Sequence, residues 1–347
     1  MQHLLVGGAG FIGTSLLRRL GEAGTVVFDN LSPIVHDSAS VRAFAELGCE
    51  FVVGDVSVRE DVDNLLEEHG TPETLVYLAA ETGTGRSLLN CSLNARVNTL
   101  GLATMLDALS ARGEMPKRII LSSTRAVYGE GPYKHPDGRI AFPEQRSLID
   151  LDSGRFEYEG IEPLDMDAIK HPPKPNNIYG STKLSQEHLL ESWAAAFDVP
   201  LYIFRLQNVY GAGQSLTNPY TGVLIHFIKQ SLLGEPVSIF ENGGITRDFV
   251  HVSDVASLLA LAANGQGRPG RYDCGSGERI DLEDVAAKLA AYGKAPKPVR
   301  SAQYRRGDVR HACAAINRSI DAFEWSPQVS LDEGLSALYD FVRHRLD

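Results

Sequence analysis

The sequence predicts an α/β protein, with a doubly wound parallel sheet followed by a smaller α+β domain at the C-terminal end. Short apolar runs rich in Val, Ile and Leu alternate with longer amphipathic runs over residues 1–210. Such runs are typical of the strands and crossover helices of right-handed βαβ units, whose parallel sheets are buried on both faces. A glycine-rich segment at residues 7–13 follows the first apolar run, where a strand-to-helix turn is expected.

The individual elements follow from these patterns in chain order. The predicted strands are His3–Gly7, Thr25–Asp29, Glu50–Gly54, Thr74–Ala79, Arg118–Ser122 and Leu201–Arg205. The predicted helices are Phe11–Glu22, Arg59–Glu68, Asn94–Ala111 and Ser181–Phe197. The segment 128–177 carries many Pro, Gly and charged residues and little periodicity, which is typical of a functional loop, a lid or a small subdomain.

Turn signals become frequent after Gly211, which indicates a second structural unit. We predict one domain over residues 1–210, with an insertion at 128–177 and with residues 247–273 returning to its sheet. Residues 211–246 and 274–347 are predicted to form the second, smaller domain.

The composition is typical of a soluble globular protein, since 43% of the 347 residues are hydrophobic and 22% are charged. The formal net charge of -11 argues against nonspecific binding to nucleic acid or anionic membranes. No apolar run reaches the ~18–20 residues that a membrane span needs. The four cysteines form no CxxC pair. The sequence therefore predicts a cytoplasmic protein with free thiols, without a metal and without a nucleic-acid or membrane partner.

The glycine segment has the spacing of a dinucleotide-binding loop. Gly7, Gly10 and Gly13 lie between the first predicted strand and the first predicted helix, where glycines let the backbone approach a pyrophosphate that sits on the helix N-terminus. Asp29 ends the next strand about twenty residues later, where a carboxylate accepts hydrogen bonds from the adenosine ribose and repels a 2′-phosphate. The pair predicts NAD rather than NADP. The alternatives are a plain tight turn for the loop and a turn-initiating acid for Asp29.

A tyrosine and a lysine stand four residues apart in Tyr179-Gly-Ser-Thr-Lys183. On a helix both side chains share one face, and a nearby ammonium lowers the pKa of a phenol. Such a tyrosine can act as a general base on a sugar hydroxyl or as an acid on a ketone. By itself the same spacing is also common on surface helices.

Hydroxyl side chains end another predicted strand, in Leu121-Ser-Ser-Thr-Arg-Ala-Val-Tyr-Gly129. Ligands bind at the carboxyl ends of the strands in open α/β sheets, so one of these hydroxyls could hydrogen-bond a reacting oxygen. A capped strand end is the simpler alternative. The glycine loop, Asp29, this cluster and the Tyr179–Lys183 pair are specific when they occur together in this order.

With these motifs the chain resembles the extended short-chain dehydrogenase/reductases, in particular the NAD-dependent nucleotide-sugar epimerases and dehydratases. The resemblance covers almost the whole chain. It also rests on Asp29-Asn30-Leu31, Gly54-Asp55-Val56, Leu78-Ala79-Ala80, Arg205-Leu-Gln-Asn-Val-Tyr-Gly211, Arg247-Asp-Phe-Val-His251 and Arg305-Arg-Gly-Asp308. It implies a Rossmann-type domain that binds NAD and a C-terminal domain that binds the nucleotide sugar.

The resemblance also implies a role for particular residues. The catalytic residues would be Thr124, Tyr179 and Lys183, with Thr124 as the hydroxyl partner of Tyr179 and Lys183 bridging the tyrosine and the nicotinamide ribose. The NAD-binding residues would be Gly7, Gly10, Phe11, Ile12, Gly13, Asp29, Asn30, Asp55, Val56, Leu78, Ala79, Ala80, Asn98 and Ser122, together with Tyr179 and Lys183. The substrate-binding residues would be Thr82, Thr124, Arg125, Asn208, Arg247, Arg305 and Asp308, with the two later arginines clamping the diphosphate.

The residues after Thr124 distinguish between the reactions of this family. In the 4,6-dehydratases an acid pair or a Ser-Glu pair follows the catalytic threonine, whereas here Arg125 and Ala126 follow it. Ala126 transfers no proton and Arg125 stays charged, so water elimination by that route lacks its acid and base. The pattern is closer to a 4-epimerase, in which Tyr179 takes the C4 hydroxyl proton, hydride passes to NAD, and the turned 4-keto sugar receives the hydride on its opposite face.

A finer resemblance is to the dTDP-L-rhamnose 4-epimerase group, carried by Ala80–Ser87, Arg125–Gly131, the insertion and Gln207–Gly222. The cysteine pair of that group's insertion is absent here, so UDP-hexose or UDP-uronate epimerisation stays open, as does a dehydratase or a keto-sugar reductase. A protein that binds NAD without catalysis is the alternative of another class. Base recognition is expected near Leu216–Leu224 and Val237–Phe240, and the resemblance implies a homodimer and a role in making cell-surface polysaccharide.

Overall fold

A computed structural model of the chain describes residues 1–36, 41, 44–216 and 222–346. The strands in this part of the chain are β1 His3–Val6, β2 Thr25–Asp29, β3 Glu50–Val53, β4 Thr74–Tyr77, β5 Arg118–Thr124, β6 Tyr133–Lys134, β7 Ile140–Ala141, β8 Glu162–Pro163, β9 Leu201–Leu206, β10 Asn208–Tyr210, β11 Ser238–Ile239, β12 Thr246–Arg247, β13 Phe249–His251, β14 Gly270–Cys274, β15 Ile280–Asp281 and β16 Val299–Arg300.

The helices in the same ranges are numbered separately. They are α1 Phe11–Leu20, α2 Arg59–His69, α3 Thr84–Leu89, the continuous α4 formed by Cys91–Asn94, Ala95–Leu100 and Gly101–Arg112, α5 Leu148–Asp152, α6 Ile178–Phe197, α7 Val223–Leu232, α8 Val252–Ala263, α9 Leu282–Tyr292, α10 Asn317–Phe323 and α11 Leu331–Leu346. The middle part of α4, Ala95–Leu100, is π-helical.

The main sheet of the described chain has seven strands in the order β14-β9-β5-β4-β1-β2-β3, and every neighbouring pair in it is parallel. The chain moves outward from β1 to β3 and then returns to β4 on the other side of β1. Where the strand order reverses, the crossover helices lie on opposite faces and leave a crevice at the carboxyl ends of the strands. The predicted doubly wound parallel sheet is therefore confirmed.

The alternating side chains of the strands build a separate hydrophobic core on each face of this sheet. In β1, Leu5 packs into the core that contains Leu16 of α1 and Val255 of α8. Leu4 of the same strand packs into the opposite core, which contains Leu102 of α4. Because neighbouring side chains of a strand point to opposite faces, a fully apolar strand predicts burial on both sides.

A third hydrophobic core lies in the later part of the chain, between α7, α9 and α11. Its buried residues include Phe227, Leu289 and Leu338, and short strand pairs β10–β13, β11–β16 and β12–β15 surround it. This core supports the predicted division into two domains, although the boundaries at 210, 246 and 273 stay a prediction. The returning segment differs in detail, since β12 and β13 pair outside the main sheet and the strand that joins it is β14.

The insertion at 128–177 is a small subdomain rather than an irregular loop. It contains the three-stranded antiparallel sheet β7-β6-β8 and the short helix α5. Tyr133 and Phe156 are buried in it, and Met166 joins a small core with Val309 of the C-terminal part. The insertion therefore has its own packed interior and a fixed contact with the second unit.

Candidate active site

The glycine loop between β1 and α1 approaches its neighbours so closely that side chains would collide. Gly7 has a φ of +78°, and a Cβ on it would lie 2.6 Å from Ala79 N and Cα. A Cβ on Gly13 would lie 2.4 Å from the Gly8 carbonyl oxygen. The helix then begins at Phe11 with Gly10 as its N-cap and without a side-chain cap, so its first N–H groups remain available to an anion.

Asp29 ties the glycine loop to the end of β2. Its buried carboxylate accepts hydrogen bonds from the backbone N–H groups of Ala9 at 3.1 Å and Leu31 at 2.9 Å. The His36 Nε2 lies 3.5 Å from the Asp29 Oδ1. Asp29 thus initiates the turn that the sequence suggested and also supports the loop, while its carboxylate oxygens keep lone pairs for further donors.

An open cleft lies at the carboxyl ends of β1, β2, β3 and β4. Predicted residues in its wall are Gly7, Gly10, Asp29, Asn30, Asp55, Val56, Leu78, Ala79 and Ala80. Its wall also contains Val6, Phe28, Ser32, Val35, His36, Gly54, Glu81 and Val97, which the sequence reasoning missed. Most of these adjoin a predicted residue in the chain, so widening each motif by a few positions would have found them.

Asp55 remains a charged acceptor at the far end of this cleft. Burial would raise its pKa, but hydrogen bonds from Ser57 and Asn30 outweigh burial and lower it overall. The Ser57 N–H donates to the Asp55 Oδ1 over 2.8 Å, and the Asn30 Nδ2 lies 3.4 Å from the Oδ2. A fixed carboxylate at this end of the cleft can accept from an exocyclic amino group such as that of adenine.

Asn98 links the loop after β4 to α6, while its predicted place on the cofactor side of its helix stays a prediction. It is fully buried in the π-helical part of α4. Its Oδ1 accepts from the Glu81 N–H at 2.7 Å, and its Nδ2 donates to the Glu81 carbonyl and to the Thr182 Oγ1 at 2.9 Å. Asn98 therefore positions the loop after β4 against α6.

Tyr179 meets Thr124 where β5 ends and α6 begins. The helix starts at Ile178, earlier than the predicted Ser181, because the Asn177 side chain caps it by accepting from the Gly180 N–H at 2.8 Å. A Cβ on Gly180 would lie 2.5 Å from the Ala126 carbonyl oxygen. The absence of a side chain at Gly180 therefore lets α6 pack directly on the turn that follows Thr124.

Two neighbouring residues affect the pKa of the Tyr179 phenol. Burial raises its pKa, while a hydrogen bond with Thr124 and the positive charge of Arg125 oppose this rise. The Thr124 Oγ1 also accepts from the Ala126 N–H at 3.2 Å. The Thr124 hydroxyl therefore caps the strand end and also lies near enough to Tyr179 to lower the pKa of its phenol.

Lys183 shares the helix with Tyr179 but points elsewhere. It is buried and hydrogen-bonded through Nζ to Gln186. Burial lowers its pKa to about 7, although the Glu187 carboxylate raises it. The cation that acts on the Tyr179 phenol in this geometry is Arg125, and the role of Lys183 stays a prediction.

The buried amine of Lys183 predicts a pH dependence of stability. Between pH 7 and its ordinary pKa of 10.5, the unfolded chain binds a proton that the folded protein does not, so the free energy of unfolding rises with pH in this window. We compare the melting temperature of Lys183→Met with that of wild type at each pH. The variant should gain several degrees more over wild type at pH 7 than at pH 10, since 1 kcal/mol of stability corresponds to ~2–4 °C. The exposed Lys117→Met is the control, and equal differences at both pH values would contradict the prediction.

The predicted substrate residues Arg125, Asn208, Arg247 and Asp308 meet beside Tyr179. The Arg125 Nε donates to the Asn208 Oδ1 at 3.0 Å. Burial and the charge of Arg247 lower the pKa of Arg125 to about 10, while Asp308 and Tyr179 oppose that shift. Two guanidinium groups thus lie close enough for each charge to act on the other, and such a pair favours an anionic ligand beside it.

Arg247 is a buried arginine whose side chain is fixed by hydrogen bonds to backbone carbonyl groups. Its terminal nitrogens donate to the carbonyl oxygens of Thr246 at 2.8 Å, Val309 at 2.8 Å and Arg310 at 3.2 Å. These bonds use three of the five N–H groups of a guanidinium. The remaining two leave Arg247 able to contact an anion from a fixed position.

Other predicted residues are less closely joined to this group. Arg305 is exposed and stacks over the Phe240 ring at 5.2 Å, and Thr82 is exposed in the loop after β4. Ser122 is buried within β5, and Phe11 and Ile12 lie in the first turn of α1. In the predicted base-recognition loop, residues 217–221 lie outside the described residues.

Neither a metal cluster nor a membrane helix was found in the described ranges. No three His, Cys, Asp or Glu side chains there could hold a metal ion together. No described helix is long and apolar enough to cross a membrane.

Comparison with known proteins identifies relatives along the whole chain. The chain is 40% identical to a dTDP-L-rhamnose 4-epimerase of Burkholderia thailandensis over 347 residues, which cover 99% of this chain and 95% of that protein. It is 28% identical to a UDP-glucose 4-epimerase of Mycolicibacterium smegmatis, with 99% of both chains covered. Among solved structures, the Thermotoga maritima UDP-glucose 4-epimerase with UDP-glucose matches with a TM-score of 0.82 and 27% identity over 100% of both chains.

A family model agrees with these relatives. The model of the NAD-dependent epimerase/dehydratase family matches residues 3–275, a range that includes the glycine loop, Thr124, Tyr179 and Lys183. The resemblance found in the sequence is confirmed, and with it the cofactor class. The chain belongs to the NAD-dependent epimerase/dehydratase family.

Proposed function

We propose that the protein is a nucleotide-sugar 4-epimerase that uses NAD and acts through a transient 4-keto sugar. The observation that carries the proposal is the meeting of Tyr179 with Thr124 and Arg125, with the Arg247 guanidinium close enough to act on Arg125. The named relatives are 4-epimerases. The residues after Thr124 offer no carboxylate for a dehydratase, because Ala126 is apolar and Arg125 is bonded to Asn208.

The cleft fits NAD by its shape and its donors. The glycine loop leaves room where a Cβ on Gly7 or Gly13 would collide with backbone, which suits a pyrophosphate. We assign the adenosine ribose to Asp29, the adenine to Asp55 and Val56, and the nicotinamide ribose to Lys183. When bound, NAD supplies the chemistry of accepting a hydride from the sugar and returning it.

The protein's own residues move and hold the proton. Tyr179 takes the proton of the sugar C4 hydroxyl while the C–H bond at C4 breaks. It returns this proton to the keto oxygen when the C–H bond at C4 forms again. The Thr124 hydroxyl donates to the same oxygen, and the Arg125 charge stabilises the phenolate of Tyr179. No net oxidation occurs, so one tightly held cofactor serves many turnovers.

The diphosphate of the substrate would be the group that holds it in the site. Arg247 and Arg305 are assigned to the diphosphate, and Asn208 and Asp308 to the sugar nucleotide, with Thr82 near the sugar. The relative at 40% identity is a dTDP-L-rhamnose 4-epimerase, so we propose dTDP-L-rhamnose as the substrate, with a UDP-hexose as the second candidate. The segment with the third core would be the substrate domain.

Proton NMR of the purified protein with NAD and a panel of nucleotide sugars tests the function. The panel contains dTDP-rhamnose, UDP-glucose, UDP-N-acetylglucosamine, UDP-glucuronate and GDP-mannose, and no reduced nicotinamide is added. We expect a reversible change in the H4 couplings of one sugar. A reaction that consumes added reduced nicotinamide stoichiometrically would instead identify a reductase, loss of water a dehydratase, and NAD binding without turnover a binding protein.

We also propose a cytoplasmic enzyme whose product serves cell-surface polysaccharide synthesis, and a homodimer formed through α4 and α6. Leu89 on α3, next to this face, is 83% exposed, and Leu100 on α4 is 52% exposed, which suits burial against a second copy. We expect Leu100→Arg to convert the dimer to a monomer in sedimentation, with Leu233→Arg, which lies on the second unit, as the control. A single 37.8 kDa species for wild type would contradict the dimer.

A further inference from the structure

The insertion is joined to the second unit by a buried network of charged side chains. Arg146 of the insertion has 7% of its surface exposed, and its Nη1 donates to both carboxylate oxygens of Glu241, at 2.9 and 2.8 Å. The Arg310 Nη1 donates to the same carboxylate at 2.7 Å. The Arg310 Nε donates over 2.7 Å to Glu157, which again belongs to the insertion.

This network holds the backbone segment Asp308–Arg310 from the insertion side. The Arg146 Nη2 donates to the Asp308 carbonyl oxygen at 2.9 Å, and the Glu130 Oε2 accepts from the Arg310 N–H at 3.1 Å. Both partners are buried, and they are 162 and 180 residues away in the chain. The position of Asp308–Arg310 is therefore decided by the insertion.

The same segment is what holds Arg247 on its other side. Arg247 donates to the carbonyl oxygens of Val309 and Arg310, directly after the Asp308 carbonyl that Arg146 holds. Three consecutive peptide groups thus connect the two arginines. Arg125 donates to the Asn208 side chain, and the Asn208 N–H donates at 3.0 Å to the carbonyl oxygen of Asp248, the residue after Arg247. A shift of the peptides that hold Arg247 would therefore move a guanidinium group that lies near Arg125.

Buried charges make this connection rigid. Both terminal nitrogens of Arg146 donate to fixed acceptors, which gives the side chain a well-defined geometry, and removal of one partner of a buried pair leaves the other charge uncompensated. Glu241 is held in a left-handed backbone conformation with a φ of +58°, which a non-glycine residue adopts only when its contacts require it. Its contacts here are the two guanidinium groups and a backbone hydrogen bond to Gln303 at 2.7 Å.

We propose that Arg146 is a positioning residue for Arg247, so that the insertion sets the diphosphate clamp of the substrate site. This inference rests on the proposed function, because it assigns Arg247 to the diphosphate. The insertion then holds the backbone of residues 308–310 in one position. Arg146 itself contacts no substrate and acts through the peptides of residues 308–310.

A double-mutant cycle on the binding of dTDP and UDP tests the proposal. We expect Arg247→Met to weaken the tighter of the two nucleotides about 100-fold and Arg146→Met to weaken it about tenfold. If Arg146 acts through Arg247, the double variant binds no more weakly than Arg247→Met alone, since the effects of coupled residues do not add. A product of both losses, about 1,000-fold, would overturn the proposal, and so would wild-type affinity in Arg146→Met.

Controls separate this outcome from misfolding and from failure of the proposed function. NAD affinity should stay unchanged in all variants, and Arg155→Met, an exposed arginine of the same insertion, should bind nucleotide normally. If Arg146→Met does not fold, Arg146→Lys keeps the charge at Glu241 but cannot also reach Asp308 as a planar fork does, and full affinity in that variant would overturn the proposal. A wild-type protein that binds neither dTDP nor UDP would contradict the proposed function instead.

Discussion

Replacing Tyr179 by Phe is expected to lower kcat by about 10²–10⁴-fold, the usual contribution of a general acid–base group. The ring keeps its packing at the start of α6, and only the hydroxyl that bonds to Thr124 is lost. NAD affinity should stay within about twofold of wild type, since Gly7, Asp29 and Asp55 are untouched. Steady-state kinetics with the sugar found by NMR and a titration with NAD measure both quantities.

The matched control is Tyr272→Phe in the edge strand β14. That tyrosine is buried and donates its hydroxyl to the Arg268 carbonyl, so the same atom is removed from a site without proton transfer. Its kcat should stay near that of wild type. If Tyr179→Phe retains full turnover, the proton is moved by another group and the mechanism is wrong.

Replacing Gly13 by Ala is expected to abolish measurable NAD binding, with a Kd raised about 100-fold or more. The added Cβ would lie 2.4 to 2.7 Å from three backbone atoms of Gly8, none of which can turn away as a side chain can. The loop must therefore move away from α1, and the N–H groups meant for the pyrophosphate move with it. Overpacking of this kind also costs about 1–3 kcal/mol of stability.

The control for stability is Gly21→Ala at the other end of α1. It has open space around the new Cβ but a φ of +84°, so it should cost about 1–2 kcal/mol without moving the glycine loop. We expect it to melt earlier and still bind NAD. Wild-type NAD affinity in Gly13→Ala would mean that the loop does not form the pyrophosphate site.

Much of the fold and of the cofactor cleft could be predicted because the signals are local. A fully apolar strand, a glycine loop and an acid at the end of the next strand lie within about thirty residues, a single βαβ unit. The strand order then brings Asp29 and Asp55 to the same edge as the loop. The walls of the cleft therefore follow closely from neighbouring motifs.

The sequence predicted which residues lie around Tyr179, but it did not predict which charges act on its phenol. The Tyr179–Lys183 spacing placed both residues on α6, and the structure adds that Lys183 bonds to Gln186 and that the Arg125 charge acts on the phenol. Asn98 likewise bonds to Glu81 and Thr182, two partners that the sequence did not indicate. Burial and hydrogen-bond partners set these roles, and periodicity carries no information about either.

By itself the sequence determined the doubly wound sheet, the glycine loop with its acid and the presence of Thr124 and Tyr179. Only the tertiary structure decided which charges lie near the phenol, what Asn98 bonds to and how the insertion contacts the segment that holds Arg247. The contact between Arg146 and Asp308 joins residues 162 positions apart. Such contacts depend on how separate parts of the chain pack against each other. Local sequence patterns predict only the secondary structure within each part.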